Sequence, residues 1–472
     1  MNKRIFKNYF YSVSYQLLLA IIPLITMPYK TRVLGAYSIG VYSYVYTIIN
    51  YLIIISNLGI NIYGRREVAC LKSSEEKTKL LYELLILKSI ITISSLLIFF
   101  LLFGLRSSYS LYYILLSSEV IFSIFDITWF YQGTEDFKSL TIINFIVRIL
   151  NVIAIFLFIK SSDDIVIYFL ITLIFDIIPI ILLIICGIKK LYKQSINNLN
   201  VLKHLKPCLI LFLPQICIQI YTSFDKIMLG NLTPNIRNVG YYEYSSKIVD
   251  MTLNFISSIS LVMIPIMSKQ FISKEAGKIK KYINESVSLV IFLAIPIIFG
   301  LCSISNTFVF IVFGKDYMCM VDVINILSFI ILPIGLTTII GEQYLIPTKQ
   351  EKKFTKYIAI GAVINIILNF ILVKKFEVIG VSLATLMTEL FILFIEFKEI
   401  KNFINIKENI INLLKYIFLS IVMYLFVILV GNLLDTSILT LTIQIITGII
   451  IYIILLFITK DNILKKILEK IF

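Results

Sequence analysis

Long apolar runs separated by short polar breaks extend over almost the whole chain. Fourteen such runs are present in the 472 residues. Each is about 20 residues long, which is the length that an α-helix needs to cross a hydrocarbon core about 30 Å thick. The pattern therefore predicts an all-α polytopic membrane protein with fourteen transmembrane helices and no soluble domain.

The predicted spans follow one another with short connections. They are residues 10–29, 40–63, 80–103, 111–131, 140–159, 165–186, 208–229, 239–267, 286–305, 321–346, 357–373, 378–397, 410–431 and 439–459. Because the number of spans is even, both termini are predicted to lie on the same side of the membrane.

Positive charge is concentrated in alternate connections. Lys and Arg residues cluster at 65–79, 189–206 and 269–281, whereas the connections between these clusters hold few. Since cytoplasmic loops carry an excess of Lys and Arg, both termini are predicted to be cytoplasmic.

Composition agrees with the membrane assignment and excludes several other classes. The chain is 59% hydrophobic, with a mean hydropathy of +0.95 and a formal charge of +15. That charge lies in interhelical loops, so we expect no nucleic-acid partner. Six cysteines without a paired motif and a single histidine, His204, predict no metal site, no cofactor and no catalytic triad. The basic N-terminus runs directly into a full-length span, so no cleaved leader is expected.

A weak internal repeat divides the predicted helices into two groups of six. Residues 34–44 read Leu-Gly, then Ile-Gly-Val-Tyr-Ser-Tyr, and residues 229–244 read Leu-Gly, then Val-Gly-Tyr-Tyr-Glu-Tyr. The two copies are six spans apart, as in transporters built from parallel repeats. This predicts six-helix bundles at 1–190 and 191–400, then two additional helices and a cytoplasmic tail at 401–472. Chance resemblance between Gly- and Tyr-rich helix starts is the alternative.

Ionisable and amide side chains occur inside the predicted spans. An ionisable group at the bilayer centre costs at least about 2.5–3.5 kcal/mol, so such groups usually face a polar cavity. The matching spans of the two predicted halves carry several, which predicts a hydrated and partly cationic cavity suited to an anionic ligand such as a phosphate. Cavity candidates are Arg32, Lys226, Lys247, Arg148, Gln16, Gln215, Gln219 and Asn57. Ion-coupling candidates are Asp225, Asp126 and Glu342.

Simpler interpretations compete for individual residues. Asp225 has its neighbour Lys226 to neutralise, and lysines near an interface extend their ammonium groups to water. Lys88, close to the predicted cytoplasmic face, is expected to behave in this second way.

Several segments together resemble Wzx-type polysaccharide flippases of the multidrug/oligosaccharidyl-lipid/polysaccharide exporter superfamily. The opening resembles the family at 8–35 and 57–68, and a Trp-Phe-Tyr-Gln-Gly segment follows at 129–133. Residues 214–243 are similar to the family's seventh and eighth helices, and residues 365–389 to its eleventh and twelfth. The resemblance implies a fold like that of the multidrug exporters (MATE-like), with two halves that rock to give alternating access.

The resemblance also implies a substrate class. This is an oligosaccharide repeat unit on undecaprenyl pyrophosphate, moved from the cytoplasmic to the outer leaflet for a surface polysaccharide such as O-antigen or capsule. The expected molecule is a monomer that works beside a polysaccharide polymerase and a chain-length regulator.

Two other functions compete with this interpretation. An ion-coupled multidrug antiporter of the same superfamily shares the fold, although the surplus of Lys and Arg argues against it. A membrane polysaccharide polymerase or ligase needs a substantial external loop with a catalytic pair, and no predicted external loop reaches about 20 residues. We therefore expect a transporter and not an enzyme.

Overall fold

The structure is a computed structural model that describes residues 3–188, 199–273 and 275–471. These residues are helical almost throughout. The α-helices are α1 (Lys3–Asn57), α2 (Ile60–Cys70), α3 (Ser74–Phe99), α4 (Ser110–Ser123), α5 (Thr128–Gly133), α6 (Phe137–Phe158), α7 (Ile165–Ile188), α8 (Leu205–Leu232), α9 (Arg237–Ser273), α10 (Ala276–Val312), α11 (Met320–Ser328), α12 (Ile331–Thr338), α13 (Glu351–Ile400), α14 (Ile406–Leu433), α15 (Ile438–Ile458) and α16 (Asn462–Ile471).

Eleven helical segments among the described residues are long and apolar enough to cross a membrane. Two of them, α1 and α13, hold two predicted spans each. The two spans of α1 are separated at Gly35 and those of α13 at Glu377, where the backbone angles are not helical. The 37-residue α9 is also longer than one crossing requires. The predicted all-α polytopic fold with about 14 transmembrane helices is confirmed.

Contacts along the chain divide it into two units, Met1–Ile227 and Met228–Phe472, with the division inside α8. The predicted boundary at residue 190 falls within residues 189–198, which lie outside the described part of the chain. That boundary stays a prediction.

In the first unit, α1 packs against α3, α4 and α6, while α7 packs against α4 and α6. A smaller layer forms where α2 contacts α3 and α5. Its core includes Tyr63, Leu84 and Trp129, all of them buried. A β-carbon on Gly64 would lie 2.5 Å from the Trp129 ring, so only glycine permits this approach.

In the second unit, α10 is the central helix. It contacts α9, α11 and α12, and also the two last spanning helices, α14 and α15. Its buried face presents aliphatic side chains at helical spacing, among them Ile283, Val287, Ile291 and Ile298. The opposite faces of the outer helices carry exposed Leu, Ile and Phe, as expected for surfaces that meet lipid.

Several spans are broken rather than continuous. The fourth predicted span consists of α4 and α5, and the Asp126 carboxylate between them accepts the Thr128 N–H at 2.9 Å. The tenth consists of α11, α12 and a π-helical segment at Ile339–Leu345. Between α1 and α2, Gly59 has φ +76°, and a β-carbon there would lie 2.6 Å from the carbonyl oxygen of Cys208. Each break frees backbone groups inside the membrane, which is tolerated where the protein or water satisfies them.

Asp461 holds the start of the C-terminal helix α16. Its carboxylate accepts hydrogen bonds from Lys415 and Tyr416 and from the backbone N–H groups of Ile463 and Leu464. Burial raises the pKa of Asp461, but these hydrogen bonds outweigh burial and hold the pKa below its usual value. The carboxylate therefore stays ionised and caps the helix.

Candidate functional site

Aromatic side chains form a continuous array inside the first unit. Tyr42 of α1 stacks on Tyr46 one turn later, with ring centroids 5.4 Å apart. It also contacts Tyr168 of α7, with centroids 4.5 Å apart. Phe169 in turn stacks on Tyr112 of α4 at 4.5 Å. The array joins three helices and presents phenol hydroxyls as well as ring faces, both of which suit a polar ligand.

An ion pair lies in the same group of helices. The Arg148 guanidinium of α6 is 3.3 Å from the Asp176 carboxylate of α7. Glu119 of α4 is buried and interacts electrostatically with both groups. Its Oε2 atom has no hydrogen-bond partner among the described residues. Arg148 is therefore partly neutralised by acidic neighbours, a pairing that separate spans gave no means of predicting.

One basic side chain of α1 contacts this array, and a second lies two residues further along the helix. The Lys30 ammonium donates to the Tyr168 hydroxyl at 3.3 Å and lies 5.4 Å from the centre of that ring. Arg32 is exposed and interacts with other groups of the protein. The side chain of the other α1 candidate, Gln16, lies outside the part of the chain that the structure describes in detail.

Lys88 does not extend to an interface, so the expectation for it is wrong. Its side chain is 1% exposed, and within the described ranges its ammonium has no hydrogen-bond partner. Asp126 is its electrostatic neighbour. The position of Lys88 along α3 indicated a depth close to the interface, but it did not indicate that this face of the helix is packed against protein. Asn57, at the end of α1, has a buried Oδ1 that also lacks a partner within those ranges.

The candidates on α8 share one helix and differ in burial. Gln215, Gln219 and Lys226 are half-buried, whereas Asp225 is 2% exposed. The Tyr51 hydroxyl of α1 donates to the backbone carbonyl of Gln219 at 2.9 Å, which ties α1 to α8. Asp225 and Lys226 both interact with other groups in the structure.

The second unit contributes Lys247 and Glu342. Lys247 is exposed and pairs with Glu243 one turn earlier at 2.5 Å, so its charge is also partly compensated. Glu342 lies in the π-helical segment, where its Oε2 is buried without a partner in the described structure. Next to it, the Gln343 amide donates to the Ser260 hydroxyl at 3.0 Å.

Sequence reasoning missed two groups. One is Glu119 with the tyrosines of the array, for which a lone carboxylate in span four and Tyr42 and Tyr46 at helical spacing were the available signals. The other surrounds His204, whose Nδ1 is 2.8 Å from the Tyr63 hydroxyl and whose Nε2 is 2.8 Å from Glu83. These bonds hold the residues before α8 against α2 and α3.

No metal centre emerges from the described residues, since none of their His, Cys, Asp and Glu side chains form groups of three that could hold an ion. The side chains present on the membrane-spanning helices are groups that bind ligands, namely cations, carboxylates, amides and phenol hydroxyls.

Such a helical bundle, with ion pairs and aromatic hydroxyls inside its spanning segments, defines a polytopic membrane transporter. Residues 5–271 match the family described as "Polysaccharide biosynthesis protein". The chain belongs to this family, and the resemblance stated from the sequence is confirmed.

Relatives and solved structures are similar over most of the chain. A protein of Shigella dysenteriae named for O-antigen transport is 26% identical over 383 residues, 80% of this chain and 96% of the relative. One of Escherichia coli (strain K12) with the same name is 24% identical over 379 residues, 78% of this chain and 90% of the relative. A Haloferax volcanii protein named as the glycan biosynthesis flippase Agl15 is 27% identical over 165 residues, 35% of this chain and 34% of the relative.

Two solved structures establish the fold. The lipid II flippase MurJ in an inward closed conformation superposes with a TM-score of 0.77 at 20% identity, over 96% of this chain and all of that one. An inward-facing MATE family multidrug resistance transporter superposes with a TM-score of 0.64 at 11% identity, over 81% of this chain and 95% of that one. The predicted MATE-like architecture is confirmed.

Proposed function

We propose that this protein is a flippase. It moves oligosaccharide repeat units linked to undecaprenyl pyrophosphate from the cytoplasmic to the outer leaflet by alternating access, for a surface polysaccharide. The observation that carries the proposal is the match to proteins named for O-antigen transport, which covers 96% of one relative and most of this chain. A match of that extent includes the whole transport apparatus rather than a shared fragment.

The intramembrane chemistry supports this substrate class. The pyrophosphate head needs cations, and Arg32, Lys226, Lys247 and Arg148 are the candidates. Arg32, at the end of the first predicted span, and Lys226, in the seventh, are favoured because those two spans match each other in the predicted halves. Uncharged groups suit the sugars, and Gln16, Gln215, Gln219 and Asn57 are candidates for that role.

A transport cycle coupled to an ion needs a side chain that binds that ion or a proton, and the candidates are Asp225, Asp126 and Glu342. Glu342 is favoured among them because its buried oxygen lacks a partner in the described part of the chain, whereas Asp126 already accepts a backbone N–H. Intramembrane carboxylates of this kind act in proton and cation relays.

The test is a complementation experiment with substitutions of the two favoured cations. Cells that lack the gene receive wild-type protein, the double variant Arg32→Ala/Lys226→Ala, or the control Lys352→Ala, which removes an exposed lysine at the start of α13. We expect the double variant to lose most surface polysaccharide at normal protein level. Lys352→Ala should retain it. Normal polysaccharide in the double variant would contradict the assignment of these cations.

The fold match to a multidrug transporter favours one second candidate, an ion-coupled drug antiporter. That function needs an acidic cavity for cationic drugs, and the buried Glu119 and the half-buried Asp176 are its best support. A drug antiporter would lower the susceptibility of cells to cationic dyes and leave polysaccharide unaffected, whereas a flippase would do the reverse.

Location and partners follow from the flippase proposal. The protein would lie in the bacterial inner membrane with both termini in the cytoplasm, as a monomer. A polymerase and a chain-length regulator would use its product on the outer side.

A further inference from the structure

The second unit contains a polar cavity of about 400 Å³ among α10, α11, α14 and α15. It is lined by the C-terminal part of α10, the first turns of α11 and the end of α14, together with Gln444 of α15. Ligand sites for small molecules begin at about 300 Å³, so the cavity has room for a small ring compound. None of the residues named so far as substrate or coupling candidates lines it.

The lining is uncharged but rich in amides. Asn306, Asn325, Asn432 and Gln444 project from four different elements, with Tyr424 as an aromatic side chain beside them. No Asp, Glu, Lys or Arg lines the cavity. A phosphate or a metal ion would therefore lose its hydration there without gaining an opposite charge. An acyl chain would leave the amides unsatisfied.

Two of these amides have oxygens without a hydrogen-bond partner among the described residues. Gln444 is 2% exposed and donates to the Val427 carbonyl at 3.2 Å, but its Oε1 lacks a partner within the described chain. The Oδ1 of Asn325 is buried and equally unsatisfied there. A buried polar atom in this condition destabilises the protein unless a ligand or water supplies a donor.

Gly431 makes room for the Gln444 side chain. A β-carbon at this position would lie 2.3 Å from the Gln444 Nε2, so any other residue would displace the amide. At the mouth of the cavity, Asn306 and Asn432 are exposed and carry both donors and acceptors. The cavity thus combines a buried amide acceptor at its base with accessible amides at its entrance.

Sugar hydroxyls are neutral and each offers both a donor and an acceptor, which is the complement of an amide. We propose that this cavity binds a neutral sugar of the lipid-linked substrate. The inference rests on the proposed flippase function and adds a carbohydrate subsite in the second unit. The cavity lies about 40 Å along α10 from the lysines at its start, which puts it at the outer face if those lysines are cytoplasmic.

The test measures binding by full-length protein in lipid nanodiscs. Three probes are used: the lipid-linked repeat unit extracted from cells that express this protein, undecaprenyl pyrophosphate without sugar, and the free oligosaccharide released from the first probe. The variants are Asn306→Ala/Asn432→Ala at the mouth and Gln444→Met at the base. The control is Asn412→Ala, which removes an asparagine from the opposite end of α14.

We expect the mouth variant to bind the sugar-bearing lipid about fourfold to a hundredfold more weakly, since it loses two side chains and each lost hydrogen bond is equivalent to roughly two- to tenfold. Its affinity for the sugar-free lipid should be unchanged. The free oligosaccharide should compete with the sugar-bearing lipid for wild-type protein but not for the mouth variant. Gln444→Met should act in the same direction, and Asn412→Ala should match wild type. If Gln444→Met does not fold, the mouth variant, whose residues are exposed, still decides the question.

Two results would overturn the proposal. Unchanged affinity of the mouth variant for the sugar-bearing lipid would mean that the cavity holds only water. Equal loss for both lipids would mean that it does not read the sugar. If wild-type protein binds neither lipid, the flippase function itself fails. If wild-type protein binds the sugar-bearing lipid and the mouth variant binds it equally well, only the subsite fails.

Discussion

Two kinds of basic side chain lie on the described membrane-spanning helices, those with a carboxylate close by and those without one. Arg148 and Lys247 belong to the first kind, and a carboxylate within 3.3 Å offsets part of the cost of each charge. Lys88 belongs to the second, since no hydrogen-bonding partner exists for its ammonium in the described ranges. Taking an unpaired charge out of water costs several kcal/mol, which its electrostatic neighbour Asp126 offsets only in part.

Replacement of Lys88 by methionine should therefore stabilise the first unit. Methionine has a similar length and fills the same volume without the charge, so we expect the free energy of unfolding to rise by about 1–3 kcal/mol. The fluorescence of Trp129 reports unfolding, because this is the only tryptophan and it is buried in the layer of α2, α3 and α5.

The matched control for this experiment is Lys72→Met, which changes an exposed lysine just before α3 and should shift stability by less than about 0.5 kcal/mol. A loss of stability in Lys88→Met would contradict the argument. It would mean that attraction between Lys88 and Asp126 exceeds the cost of burying the ammonium.

At the scale of elements, the stability of the short helices α2 and α5 comes from close packing rather than from their length. Each is too short to be stable alone, because helices below about 12 residues are marginal in water. Their contact is held by Trp129, which lies against the bare backbone of Gly64. The same layer contains the His204 bonds to Tyr63 and Glu83, so it anchors the start of α8 as well.

Substitution of Gly64 by alanine should disrupt this layer. The new β-carbon would lie 2.5 Å from the indole ring, and either the ring or α2 must move. Overpacking of this kind costs typically about 1–3 kcal/mol, and we expect a loss of that size together with a shifted Trp129 emission maximum.

Gly277→Ala provides the comparison at a helical position with open space, where a β-carbon meets no atom within 4 Å. Alanine there should be neutral or stabilising by up to about 1 kcal/mol. An unshifted emission and unchanged stability in Gly64→Ala would show that the layer is loosely packed and would contradict the geometry.

At the scale of the whole molecule, the sequence predicted what depends on length and composition. Apolar runs of bilayer length determine the number of helices directly, and the kinks at Gly35 and Glu377 fall between predicted spans. Pairings between distant spans were not predictable. Arg148 and Asp176 lie on different helices, and nothing in their spacing indicates which faces meet. The amides of the polar cavity were missed for a related reason, because Asn306 and Asn432 come directly after the predicted spans that end at 305 and 431 and therefore resemble ordinary loop residues.

The orientation in the membrane is the molecular property on which both proposals depend. Lysines flank α14 and α15 at one end, at residues 401–407 and 460–470, whereas the connection at 434–437 carries none. By the positive-inside rule, that connection should be external and the C-terminus cytoplasmic. Alkaline phosphatase, which is active only outside the cytoplasm, should therefore be active when fused after Asp435 and inactive when fused after Phe472. A cytoplasmic reporter should give the opposite pattern at the same two points. If the phosphatase were active at Phe472 instead, the basic loops would be external, and the polar cavity of the second unit would face the cytoplasm, where it would meet the sugar before transport rather than after it.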